Sequence, residues 1–491
     1  MPRIDHAGQQ SNNEDDAMRR LKMQNRLPQP RLVVGSATVA WPLRITQNMR
    51  PHFASTGLGA TIFCAILSIA SASAAETGAM TAAGAGAVDV PLMVRALVAL
   101  LMPGGFALLA AGLCRAKNAA HAIFMTLFGS VMAVAGFWIC GFALSQSAAA
   151  GFLLRNRAHD AGLFSNFFLA LPFVMVATCI PIGAMAERWR LKNFYVYAAF
   201  MSMFLWPIAA RWAWSDGWLA HLGMGHGFVD VAGSGVVHVV GGLCALAGAL
   251  VLGPRLGRYN KRGLANPLPA HNMPMALLGS FLLAVGWFGL NTLRSATSAS
   301  SIGLIFTATA LAGSGGAIAA AIYMATRTGK PDPTIVANGW LAGLVASSAS
   351  AGLIGPTAAF IVGTVAGVLV CASINWLDKL LIDDPVGAIS VHGVCGLWGL
   401  ISTGLLANGG DSWNGVAGPV TGLLRGGSGA QLLAQIIGCA ALAVWALGVS
   451  WLFFKLIDRF VPMRVQPETE VEGLDIPETG VQGYPDIRGS L

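Results

Sequence analysis

Gly235-Val-Val-His238-Val-Val-Gly-Gly242 and Ser390-Val-His392-Gly-Val-Cys-Gly396 decide the reading of this chain. Each places one histidine in the middle of an apolar, glycine-rich run, and the two histidines lie 154 residues apart. Ionisable groups inside such runs are costly and usually functional. Histidine is the least costly of them, because its reference pKa of about 6.5 lets the ring sit there neutral, with one donor and one acceptor. Two such rings in contact can share a proton and give a narrow path a polar stripe. A small polar neutral molecule can use that stripe, whereas a hydrated cation is held back by its far larger desolvation cost. The glycines and alanines around both histidines suit close helix packing.

The rest of the composition agrees. Of 491 residues, 55% are hydrophobic, 11% are charged and 61 are glycine, against roughly 25% charged in an ordinary soluble protein. The chain therefore reads as an all-α polytopic membrane protein, which excludes soluble enzymes, nucleic-acid binders and disordered scaffolds. Eleven apolar segments are predicted, near 88–113, 121–146, 164–186, 193–212, 233–252, 272–292, 301–324, 334–351, 355–376, 388–407 and 431–456. Spanning segments must satisfy their own backbone groups, so these are helices. Eleven is five plus five plus one. Consecutive units of five insert with opposite orientations, and such inverted repeats place a substrate path at their interface. Each half carries one histidine in its last helix.

The N-terminal stretch has a different character. Residues 1–48 are polar and read as a disordered leader or a mis-annotated extension. Residues 49–75 carry a basic start, a short apolar run and a small-residue end, as a secretory signal peptide does, with Met49 as the expected true start. The membrane domain then covers 76–460 and a cytoplasmic tail covers 461–491. With the mature N-terminus outside, loops after odd-numbered spans lie inside and hold fifteen Lys and Arg residues, against five in outside loops. That asymmetry follows the positive-inside rule. It explains the formal charge of +8 without invoking nucleic acid. The expected location is the cell membrane, with the C-terminus cytoplasmic.

The eight cysteines form no CxxC pair, so neither a disulfide framework nor a metal site is expected. GSGVVH is not a nucleophile elbow, since no strand-to-helix turn exists in mid-membrane. The glycines at 313–317 belong to helix packing rather than to phosphate binding. Asp216, His221 and His226 read as part of a solvated loop. No cofactor, catalytic residue or ATP motif is indicated.

Several stretches together resemble the ammonium transporter family, in the ammonium transporter/methylammonium permease branch of the ammonium transporter–Rh superfamily. They are MPGGFALLAAGLCRAKN (102–118), GAMAER (183–188), GWL…VDVAGSGVVHVVGG (217–242), VLGPRLGR (251–258), GWFGLN (286–291), NGWLAGLVA (338–346) and DDPVGAISVHGVCGLWG (383–399). The resemblance implies a homotrimer with one pore per subunit, carrying ammonium, ammonia or methylammonium. It matches His238 and His392 to the paired pore histidines, Trp218 and Asp230 to the outer ammonium-recruitment site, and Phe173 to one phenylalanine of the outer gate. Asp230 also reads as the N-cap of the fifth helix.

Two positions depart from the family pattern. Leu290 stands where the second gate phenylalanine is expected. Arg294, with Ser295 beside it, stands where a small hydroxyl residue usually meets the recruited cation. A second cation there would repel substrate, by about 4 kcal/mol at 4 Å in an effective dielectric of 20, so Arg294 is an access-modulating candidate. The tail GLDIPETGVQGYPD (473–486) resembles the family's regulatory tail and implies a PII-type nitrogen-regulatory protein as partner, although Thr479 replaces a common histidine. The alternative function is a poorly conducting ammonium sensor that works through a separate signalling partner.

Overall fold

Segments too apolar for water become membrane-length helices in the computed structural model, which describes residues 90–146, 151–154, 160–294, 299–410 and 412–485. The expected leader, the signal peptide and Ser295 lie outside the described residues. Among the described residues, ten helices are long and apolar enough to cross a membrane. In chain order they are α1 (Val90–Leu113), α2 (Ala116–Ser145), α3 (Ala161–Met185), α4 (Leu191–Trp214), α5 (Ser234–Leu252), α6 (Met273–Leu290) and α7 (Ile302–Thr328), then α9 (Pro356–Lys379), α10 (Ile389–Leu406) and α11 (Gly429–Phe460). Between α7 and α9 lies α8 (Pro333–Ser348), with 16 residues.

At 1.5 Å per residue, α8 reaches roughly 24 Å, short of the ~30 Å hydrocarbon core. It can be short because its inner two-thirds is buried in protein. Irregular backbone at membrane depth is tolerated only in such a setting. The turn after α8 is used rather than left bare: Ala349 and Ser348 carbonyls accept from the Val231 and Ala232 amides at 3.0 and 2.9 Å. Helix starts follow ordinary capping chemistry. The Asn272 side chain accepts from Met275 N at 3.0 Å ahead of α6, and Asp332 does the same for Thr334 N at 2.8 Å ahead of α8. Proline follows each cap, where its missing N–H costs nothing.

The packing pattern of α1–α5 recurs in α6–α10. Helix α2 lies on α3 and α4, as α7 lies on α8 and α9; α3 meets α5, as α8 meets α10. Helix α1 runs against α6, and α5 crosses α10. At that second crossing the backbones almost touch: a Cβ added to Gly242 would sit 2.2 Å from the Gly393 amide nitrogen.

Both crossing helices begin irregularly, and in the same way. Gly233 has φ +96° and Gly387 φ +80°, left-handed values that only glycine adopts without strain. Each is followed by a widened π-helical turn, Ser234–Val239 and Ile389–Val394. The two histidines sit in those turns.

The end of the bundle at which α10 begins is ionic. Arg255 binds Asp383 through two nitrogens at 2.8 and 3.0 Å and reaches Glu187 at 2.8 Å. Arg188 donates to the carbonyls of Gly253 and Asp383. The tail folds back onto this end. Arg464 pairs with Glu470 of α12 (Pro467–Glu472) at 2.8 Å, Leu474 N donates to Asn118 Oδ1 at 2.9 Å, and His271 Nε2 meets the Tyr484 hydroxyl at 2.9 Å.

Two stability predictions follow from this packing. Gly242→Ala should lower stability by about 1–3 kcal/mol, the usual cost of overpacking, read as a reduced melting temperature in detergent; an unchanged melt would contradict the close crossing. Asp383 gives a pH test. Burial pushes its carboxyl up, but the Arg255 hydrogen bond and the charges of Arg188 and Arg255 prevail and take it down to about 2. Its contribution is therefore fully present above pH 3.8 and lost as pH falls from there through about 2. Asp383→Asn should cost about 1–3 kcal/mol at pH 7, because it removes one of the two carboxylates on buried Arg255 and weakens its charged hydrogen bonds, and should weaken the acid dependence of melting.

Candidate functional site

Two aspartates make the site possible. The Asp230 carboxylate accepts from the Gly233, Gly235 and Val236 amides at 3.0, 2.9 and 2.8 Å. Asp384 accepts from the Ala388 and Ile389 amides at 3.0 and 2.7 Å. Both lie eight residues before a histidine and cap the amides that open its helix. Carboxylates at helix N-termini are favourable partners for those amides.

The capped turns bring His238 and His392 together. Their Nδ1 atoms are 3.1 Å apart, and the rings meet edge to edge with centroids 5.1 Å apart and 21° between planes. Both rings are buried, at 0% and 3% exposure. One Nδ1 must donate and the other accept. In neutral rings the donor's Nε2 is then a bare acceptor, while the acceptor's Nε2 carries a proton. The pair thus presents one donor and one acceptor along a single line. His238 Nε2 is buried with no partner among the described residues, so it is open to a passing molecule. Trp287 covers the other face of His238 at 5.1 Å and donates to Ser348 Oγ at 3.0 Å. Phe106 leans on His392 at 5.7 Å.

Past His392, toward the tail-bearing end, lies a cavity of about 20 Å³ lined by Phe106, Ile180, Val386, Val391 and His392 among others. A site needs roughly 10–15 Å³ on this measure to hold one water. The cavity therefore has room for about one molecule of that size, between mostly apolar walls.

The opposite mouth is aromatic. Phe173 is buried and meets the Trp214 ring edge-on at 5.1 Å. Trp214 Nε1 donates to the Asp230 carbonyl at 2.7 Å. The Arg294 guanidinium lies over the Trp214 ring, 4.4 Å from its centroid. Burial raises the Asp230 carboxyl to about 6, against the three amide bonds and the charge of Arg294, so it is ionised at neutral pH. Arg95 in α1 donates to the Thr292 carbonyl at 3.2 Å, tying down the chain just before Arg294.

The sequence-derived candidates separate at this mouth. Phe173, Asp230 and Arg294 gather around Trp214. Trp218 is 48% exposed and packs edge-on against Trp212 at 5.8 Å. Leu290 is fully buried at the end of α6. Ser295 lies outside the described residues. Sequence reasoning missed Trp214, Trp287, Phe106 and Asp384. For Asp384 a signal existed, since it repeats the eight-residue offset of Asp230 from its histidine. Trp214 and Trp218 lie four residues apart, and the sequence offers no count that separates them, because residues 215–229 form an irregular loop.

Membrane-length apolar helices enclosing a buried histidine pair suit a multi-pass membrane protein. Comparison with known proteins narrows this. A profile of the Ammonium Transporter Family matches residues 90–484. Ammonium transporter Amt2 of Archaeoglobus fulgidus is 38% identical over 404 residues, covering 79% of this chain and 86% of that protein. Ammonium transporter Amt1 of Haloferax mediterranei is 32% identical over 424 residues, covering 81% and 79%. A solved structure described as a sensor Amt protein superposes with a TM-score of 0.72 at 31% identity, covering 79% of this chain and 97% of that one. The chain belongs to the Ammonium Transporter Family, a family of transporters rather than enzymes.

If Trp214 forms the mouth, Trp214→Leu should weaken binding of methylammonium at least about threefold, in line with losing a cation–π contact of about 0.5–2 kcal/mol, while Trp218→Leu should leave it nearly unchanged. Equilibrium binding of labelled methylammonium to the purified protein measures both; the reverse ranking would return the mouth to Trp218.

Proposed function

We propose that this protein conducts ammonia across the cell membrane after recruiting ammonium at its aromatic mouth. The observation that carries the reading is the 3.1 Å contact between His238 and His392 beside a cavity of about 20 Å³. Ammonium is held near Trp214 and ionised Asp230, with Trp218 and Ser295 further out. It gives up its proton before the apolar constriction at Phe173 and Leu290, because a bare cation pays far more to enter than a neutral molecule. Ammonia both donates and accepts hydrogen bonds, so it fits the donor and acceptor offered by the two Nε2 atoms. It leaves through the cavity beyond His392. Whether the proton stays behind or follows along the rings, the driving force is the substrate gradient, aided by about 2.3 kcal/mol per 100 mV for each charge moved.

The ionic, tail-bearing end is the cytoplasmic face in this reading, supported by its Arg115, Arg188, Arg255, Arg258 and Arg464 cluster and the positive-inside rule. The mature N-terminus is then outside. The repeated packing of α1–α5 and α6–α10 supports two inverted five-helix units with α11 as the added span. The resemblance extends the proposal to a homotrimer and to a PII-type protein docking on the folded-back tail.

A second reading, ammonium sensing with little conduction, is favoured by Arg294 on the recruitment ring and by the fit to a structure described as a sensor Amt protein. Ammonium pulses on proteoliposomes with an internal pH dye separate the two. The transport reading predicts substrate-dependent flux in the native protein, reduced at least about tenfold in His238→Leu and His392→Leu, equivalent to about 1.4 kcal/mol on the barrier. Ammonium binding with no native flux would overturn it in favour of sensing.

A further inference from the structure

The geometry points to Arg294 as a tethered occupant of the recruitment seat: its guanidinium rests on the Trp214 face that an incoming cation would use, and substrate binds there only when that side chain swings away. The inference deepens the proposed function, since it concerns the same mouth.

Three observations support it. First, a cation 4.4 Å from the Trp214 centroid is well within the ~6 Å range of cation–π attraction. Guanidinium is planar, weakly hydrated and well suited to stacking on an aromatic face. Second, the seat is built and fixed without Arg294. Trp214 is held by its bond to the Asp230 carbonyl and by Phe173, and Asp230 spends its oxygens on three helix amides. The carboxylate therefore attracts a cation through space without needing one for its own stability. Third, Arg294 is exposed, while the backbone two residues before it is pinned by Arg95. With its root fixed, the long side chain is able to leave the ring and return.

A tethered group competes at an effective concentration in the millimolar range or above. External ammonium must match that concentration to take the seat. The site is then a threshold device that ignores micromolar ammonium and answers to high ammonium. The nature of the competitor also defines a foreign ligand: once the tether is cut, the vacated face should accept a free guanidinium compound.

Methylguanidinium is the probe. Calorimetric titration into the full-length protein in detergent should show binding to Arg294→Ala at least tenfold tighter than to native protein, and the gain should vanish in Arg294→Ala combined with Trp214→Leu. In proteoliposomes, Arg294→Ala should reach half-maximal ammonium flux at an at least tenfold lower concentration, and external methylguanidinium should inhibit that variant but not the native protein. Equal methylguanidinium binding by native and Arg294→Ala, or binding by neither, would overturn the inference. Loss of ammonium flux in every variant, with the methylguanidinium difference intact, would instead count against the transport reading and leave the occupied seat standing.

Discussion

The structure depends on two carboxylates holding two helices open. Asp230 and Asp384 each take the amides of a helix that starts in mid-protein, after a left-handed glycine and with a widened first turn. Without a partner those amides would be buried donors, costing about 1–3 kcal/mol apiece. Because they are satisfied, the helices can begin where they do, and the widened turns deliver His238 and His392 to one line. Gly242 and Gly393 then allow the two helix backbones to approach until the imidazole nitrogens touch. Cap, glycine and histidine recur with one offset of 154 residues, so the site is a product of the repeat rather than an addition to it.

The two ends of this path solve opposite electrostatic problems. At the tail-bearing end, Arg255, Asp383, Glu187 and Arg188 neutralise one another, and the tail packs beside them through Glu470 on Arg464 and Tyr484 on His271. Charge there fixes structure. At the aromatic mouth, one carboxylate faces a tryptophan and a single mobile cation. Charge there selects what arrives. Between them the residues around the histidine pair are mostly apolar.

Much of this was legible in the sequence. Hydropathy marked the long helices, and the two histidines that the sequence pairs by position do meet in the fold. Helix α8 was harder, since its 16 residues suffice only where protein replaces lipid around them. The mouth was the least legible part. Its ring is set by the course of the irregular loop 215–229, and no count along the sequence separates Trp214 from Trp218. Arg294 was visible as an oddity, but the direction of its side chain depends on Trp214 and on the Arg95 clamp, both contacts between segments distant in sequence. Trp287 and Phe106 looked like ordinary core aromatics until they were found against the histidine faces.

The central claim is that the two rings form one Nδ1–H···Nδ1 link within the membrane. Solid-state NMR of histidine-¹⁵N-labelled protein in lipid bilayers at neutral pH tests it directly. The account predicts a through-hydrogen-bond coupling between one protonated and one bare Nδ1, assigned to His238 and His392 by single substitution of each. Two protonated Nδ1 atoms, or two bare ones with no coupling, would contradict it.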